Sequence, residues 1–143
     1  MSSDDDLTEY RVAKTIDSHP EQSEEVTIEK MHFFKDAWID GTIEVGKNYF
    51  CKEKISAKEA AAVEFKRLSE CSPNIEIVVD GLAKLPQEKQ ALLISMCSFF
   101  DASLGGLLAE TYGVSSIADL SLRMDDRGRG ICVRLFQNYQ GWV

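Results

Sequence analysis

The sequence predicts an α+β domain: an N-terminal three-stranded antiparallel meander packed on a helical layer, a buried central helix, and a helical C-terminal third. Three observations carry this expectation. Taken as a helix, Ala91–Phe100 is apolar around nearly its whole circumference, so it has no wet face and belongs inside a core. Asp40-Gly41 stands between Trp38-Ile39 and Thr42–Val45, the pattern of a type I′ turn between strand formers. Ser56-Ala57-Lys58-Glu59 has the form of a capping box, which opens a helix.

In chain order, residues 1–24 are polar and acidic and read as an arm that is mobile when alone, with Tyr10, Val12 and Ile16 as its apolar handles. Residues 25–143 read as one domain. In Glu25–Ile55, Val26 and Ile28 alternate with polar neighbours, a bulge at Lys30 shifts the face to Met31 and Phe33, and Gly46-Lys47-Asn48 makes the second turn of the meander. After the capping box, Ala57, Ala61, Phe65 and Leu68 share one helical face up to Cys71-Ser72-Pro73. Ile75–Val79, rich in β-branched residues and bounded by Asn74 and Asp80-Gly81, reads as a strand.

The central helix starts at Pro86, suited to a first helical position, and Asp101 and Gly105-Gly106 end it. Leu104–Tyr112 is a short amphipathic helix stopped by Gly113, and Ser115 or Ser116 caps the next piece through Ile117, Leu120 and Met124. Asp125–Trp142 fits a hairpin around Asp125–Gly130, or a helix whose stripe is Gly128, Ile131, Cys132, Leu135, Phe136 and Tyr139. The helix is preferred because it also accounts for Phe136 and Tyr139, although two interior glycines weaken it by about 1 kcal/mol each.

Charge is uneven. The chain carries −8, and residues 1–30 hold nine acidic and three basic side chains, −6 of that total. An acidic surface argues against binding nucleic acid through phosphates. No apolar run approaches the ~20 residues of a membrane span, and the acidic start Met1–Asp6 is not a secretory signal, so a cytoplasmic protein is expected. The four cysteines lie 20, 26 and 35 residues apart, without a Cys-x-x-Cys, and are expected to be free thiols.

No catalytic, metal or cofactor site is expected. Two histidines and four scattered cysteines give no zinc spacing. His32 and Cys51, with Asp36 or Asp40 to orient the imidazole, would need to be neighbours, but in a meander a middle strand separates them. Gly105-Gly106 has no phosphate-loop context. Ala109 and Gly113-Val114 have helix-turn-helix spacing, but Asp119 stands where an aliphatic residue should be buried.

What remains is binding. Arg123, Arg127, Arg129 and Arg134 lie within 12 residues and form a candidate anion site, or are solvated and balanced by Asp119, Asp125 and Asp126. Trp38, beside the expected hairpin tip with Asp40, is a candidate contact, with core packing as the alternative; the same pair of readings applies to Trp142. Asp4, Asp5 and Asp6 head an arm that either folds back on the four arginines or steers a partner with a basic surface, the second being preferred because the arm has little to bury. The expected function is a non-enzymatic cytosolic interaction module, of the small acidic inhibitor, immunity or adaptor type. The alternative is a small-ligand or anion-binding domain using the Arg123–Arg134 segment.

Overall fold

The computed structural model describes residues 24–142, and every regular element among them is helical. The α-helices are α1 (Glu24–Val45), α2 (Ala57–Ala61), α3 (Ile75–Gly81), α4 (Gln87–Phe100), α5 (Ala102–Thr111), α6 (Ile117–Arg123) and α7 (Asp126–Asn138). Single 3-10 turns occupy Lys47–Phe50, Leu68–Glu70 and Leu82–Lys84. The described residues therefore form a helical protein, which overturns the α+β assignment and its meander.

The largest correction is α1. Its buried residues Phe34, Ala37, Trp38, Gly41, Thr42 and Val45 recur at intervals of three and four, a helical stripe across the whole expected hairpin. Asp40-Gly41 is not a turn. Gly41 lies mid-helix because Met96 of α4 packs on the bare backbone there, and an added Cβ would lie 2.6 Å from Met96 Cε. Thr42 is buried at no polar penalty because its hydroxyl donates to the Ile39 carbonyl at 2.7 Å. The β-branched residues here fit either period, and packing on α4 and α7 decides for the helical one.

The expected third strand, Tyr49–Ile55, is instead a 3-10 turn and an irregular segment held by Asn74. Asn74 donates its backbone N–H to the Tyr49 carbonyl at 2.8 Å and its side-chain amide to the Cys51 and Lys52 carbonyls at 2.9 and 3.1 Å. The same side chain accepts from Ile77 N–H at 3.3 Å, making Asn74 the N-cap of α3. Ile75–Val79 is thus helix, not strand: the boundary residue is a cap.

The capping box is present as expected: Ser56 Oγ accepts from Glu59 N–H at 3.1 Å. The helix it opens is short, ending at Ala61 instead of running to Cys71. Beyond it Lys47 Nζ donates to the Val63 carbonyl at 2.6 Å, and Phe65 enters the core from non-helical chain.

The central helix forms as read, except that Pro86 is its N-cap and Gln87 its first residue, one position later than expected. Seven consecutive residues, Ala91–Cys97, are buried. Asp101 ends α4 and caps α5, accepting from Ser103 and Leu104 N–H. Gly105-Gly106 lies inside α5 and stops nothing. Gly113, at φ +70°, closes α5: its N–H donates to Glu110 and that of Val114 to Ala109, the paired bonds of a Schellman cap. Ser116 caps α6 and Asp125 caps α7, which is the preferred helix and not the hairpin.

Helix α4 is the axis: α1 and α7, packed on each other, both touch it, and α5 covers it elsewhere. An aromatic cluster joins the layers. Trp38 meets Trp142 at 4.7 Å and Phe50 at 5.8 Å between ring centroids, Phe34 meets Tyr139 at 5.5 Å, and Phe100 meets Trp142 at 5.0 Å. Most of these pairs are edge-on or tilted, the favourable geometry for rings. No described helix is long and apolar enough to cross a membrane.

Candidate functional site

A groove of about 400 Å³ lies at the junction of the N-terminal half of α1, the segment Lys66–Ser69 and the chain beyond α7. Its first wall follows from helix geometry. Ile28, Met31, His32 and Lys35 lie three and four apart, so they share one face of α1, turned away from α4. Ile28 is 55% and Met31 40% exposed, large apolar side chains left uncovered beside Phe34, which is 3% exposed and roots the groove in the aromatic cluster.

Glu70 builds the second wall. Its Oε1 accepts backbone N–H groups of Lys66 and Arg67, both at 2.9 Å. These bonds hold its carboxyl below the usual carboxylate range, helped by the charges of Arg67 and Lys66. The segment is anchored to the core where Trp38 Nε1 donates to the Cys71 carbonyl at 2.8 Å. The third wall is Asn138, Gln140 and Gly141, where Gly141 takes φ +91° and Trp142 turns back onto Trp38.

The charge of the groove is opposite to that of the chain. Lys35, Lys66, Arg67 and His32 line it, and among the described residues no Asp or Glu does. Among those residues, no carboxylate oxygen lies within 4.0 Å of the charged nitrogens of Lys35, Lys66 or Arg67, although the charges of Lys66 and Arg67 act on nearby Glu70. An apolar floor with a cationic rim suits a segment carrying both apolar and acidic side chains.

The residues expected from sequence are placed differently. Trp38 is fully buried, so the core reading holds for it and the contact reading does not. Asp40 pairs with Arg134 at 2.6 Å, tying α1 to α7. Arg123 bonds both Asp119 oxygens, at 3.2 and 3.1 Å, and the Tyr112 and Gly113 carbonyls at 2.9 Å, so it is the clamp on the end of α5. Arg127 reaches Glu44 at 3.2 Å, where Lys89 also binds, and Arg129 pairs with Asp126 at 3.4 Å. The four arginines thus serve four separate carboxylates and do not converge on one anion. Asp4, Asp5 and Asp6 lie outside the described residues.

The thiols are Cys51, Cys71, Cys97 and Cys132, all free, as expected from their spacing. Burial pushes Cys71 and Cys97 up to about 12 and raises Cys51 and Cys132. Cys51 Sγ points at the Lys47 carbonyl at 3.2 Å, while His32 faces the groove, so the two are not paired. No group of three or more metal-ligating side chains occurs among the described residues.

Apart from His32, weighed only as a partner of Cys51, the groove residues are absent from the candidates drawn from sequence. Their signal was there: 28, 31, 32 and 35 have helical spacing, and Lys66-Arg67 is an adjacent basic pair. A strand assignment over α1 splits the first set between two faces. No family model, curated protein or solved structure matches this chain.

Proposed function

We propose that this protein is a non-enzymatic, cytoplasmic protein-interaction module of the inhibitor, immunity or adaptor type, and that its contact surface is the groove between α1, Lys66–Ser69 and the chain after α7. The observation that supports this reading is the reversal of charge. A chain of net −8 gathers three cations, none ion-paired through its charged nitrogens among the described residues, and a histidine around exposed Ile28 and Met31. Opposite charge across such a surface chooses partners and orients them, while the apolar floor holds them. The partner it fits presents an acidic segment with apolar side chains between its carboxylates.

The test is capture from the native host with the wild-type chain and with Lys35→Glu combined with Lys66→Glu. Both substitutions are on the surface and should leave the far-UV circular dichroism unchanged. A partner retained by the wild type and lost by the double variant is expected. An identical set of captured proteins would reject the groove as the contact surface.

A further inference from the structure

We infer that Ser69 is a phosphorylation site for a basophilic serine kinase, and that the phosphate it takes closes the groove to an acidic partner. The second half of this inference rests on the reading of the groove as a contact surface; the first half does not. The sequence carries the recognition. Lys66-Arg67-Leu68-Ser69 places two cations three and two positions ahead of a serine, the spacing that acidic kinase clefts read by charge. No other serine or threonine of the chain has two basic residues among the three before it. The structure makes this serine reachable. Ser69 is exposed, in the middle of the single 3-10 turn Leu68–Glu70, and residues 63–66 ahead of it belong to no helix. Its hydroxyl lies outside the side-chain bonds that hold the turn: Glu70 Oε1 accepts from the Lys66 and Arg67 N–H groups, and Cys71 Sγ donates to the Arg67 and Leu68 carbonyls. The hydroxyls of Ser56 and Ser116, by contrast, are committed as helix caps. The bonds to Glu70 are exposed to solvent, so a kinase can open so short a turn without disturbing the core.

In the transfer, Ser69 Oγ forms a bond to the γ-phosphorus of a nucleoside triphosphate held with magnesium by the kinase. The bond from that phosphorus to the β–γ bridging oxygen breaks, the nucleoside diphosphate leaves, and the hydroxyl proton passes to the base of the kinase. The phosphate carries about −2 at neutral pH. Lys35, Lys66 and Arg67 give the groove its three fixed positive charges, so the modified lining falls to about +1, with the new charge on a lining residue itself. Lys66 and Arg67, three and two positions away, are the nearest cations in sequence and are drawn to the phosphate. Glu70 does not give way, because its carboxylate is fixed on backbone N–H groups, and the two anions then stand side by side. A partner's carboxylates meet like charge where they met cations. The exposed side chains of Ile28 and Met31 are unchanged, so the loss is one of charge and not of apolar contact.

Three measurements on the full chain test this. Mass spectrometry of protein isolated from its native host, with phosphatases inhibited, should find phosphate on Ser69, and its absence there would overturn the inference. The purified folded chain, given magnesium ATP and the catalytic subunit of the cyclic-AMP-dependent kinase, should take phosphate on Ser69. Ser69→Ala should abolish that incorporation, and Lys66→Ala combined with Arg67→Ala should slow it on the order of tenfold or more. Incorporation that is undiminished in Ser69→Ala, or that needs urea, would overturn the site. The third is fluorescence anisotropy with a labelled peptide of alternating glutamate and leucine. The unmodified chain should bind it, and the chain phosphorylated on Ser69 should bind on the order of tenfold or more weaker at physiological salt, the gap narrowing as salt is raised. Equal binding by the two forms would reject control of the groove by the phosphate. No binding by the unmodified chain would reject the groove as a surface for acidic segments, a failure separate from that of the site, which the mass spectra decide.

Discussion

Three glycines inside helices face three different surroundings, and alanine at each should change stability in a different direction. Gly105 and Gly106 are neighbours in α5, so their helix propensity terms are the same. Alanine is favoured over glycine in a helix interior by about 1 kcal/mol. At Gly106 an added Cβ meets nothing within 4 Å, so Gly106→Ala should stabilise by nearly that amount. At Gly105 the Cβ would lie 2.5 Å from Ser98 Cα and 2.1 Å from its Oγ. The Oγ can rotate away, but the Cα belongs to the backbone of α4. Restoring ordinary contact requires α4 and α5 to part by about 0.9 Å, which loosens Leu108, now 5% exposed. Overpacking of this kind costs roughly 1–3 kcal/mol, more than the propensity gain on average, so Gly105→Ala should be destabilising and, the propensity terms cancelling, the two variants should differ by about 1–3 kcal/mol. Gly41→Ala is the internal control. Its Cβ would crowd the Cε and Sδ of Met96, the yielding end of a flexible side chain, and meet Ile131 Cγ2 at an ordinary 3.5 Å, so the result should fall within about 1 kcal/mol of the parent. Urea midpoints followed by tryptophan fluorescence at constant m-value give all three. A Gly105→Ala variant as stable as Gly106→Ala would show that α4 and α5 do not make the close approach described.

Two further outcomes follow from the ionisable groups. Native Cys71 and Cys97, raised to about 12 by burial, should resist iodoacetamide at pH 8 and react once the chain is unfolded in urea; rapid native alkylation would place them at the surface. Because those folded values exceed the unfolded ones, the matching stability is complete below about pH 8.5 and declines as pH rises towards them. Asp119 is held low, first by the Ser115 N–H and then by the Arg123 guanidinium. Its contribution should be present above about pH 4, the unfolded range, and disappear as pH falls through the depressed folded value. Asp119→Asn should flatten that part of the acid-unfolding curve, and an unchanged curve would separate Asp119 from the clamp on α5.

Local signals that need no partner were legible. The capping residues Ser56, Ser116 and Asp125, the αL glycine Gly113 and the all-round apolar α4 are each defined within a few residues, because the hydrogen bonds and burial they report are local. The α+β class was not legible as wrong. Within α1, Ala37, Gly41 and Thr42 carry little apolar weight in a sequence scan, yet they are the close-packing positions where α4 and α7 approach. Small residues show their burial only when the neighbour is known, and without it Asp40-Gly41 keeps its turn meaning. Ile75–Val79 shows the same limit, since a β-branched run can be helix once Asn74 caps it and ties it to Cys51 and Lys52. The groove depended most on tertiary structure. Lys35 and Lys66 are 31 positions apart in the chain, and they share a rim only because Trp38 takes the Cys71 carbonyl and draws the intervening segment against α1. The sequence alone determined how much charge the chain carries and where the helices begin. Which of the described cations reach a carboxylate was decided by packing, because the pairing of Arg134 with Asp40 and of Arg127 with Glu44 exists only between elements brought together by the fold.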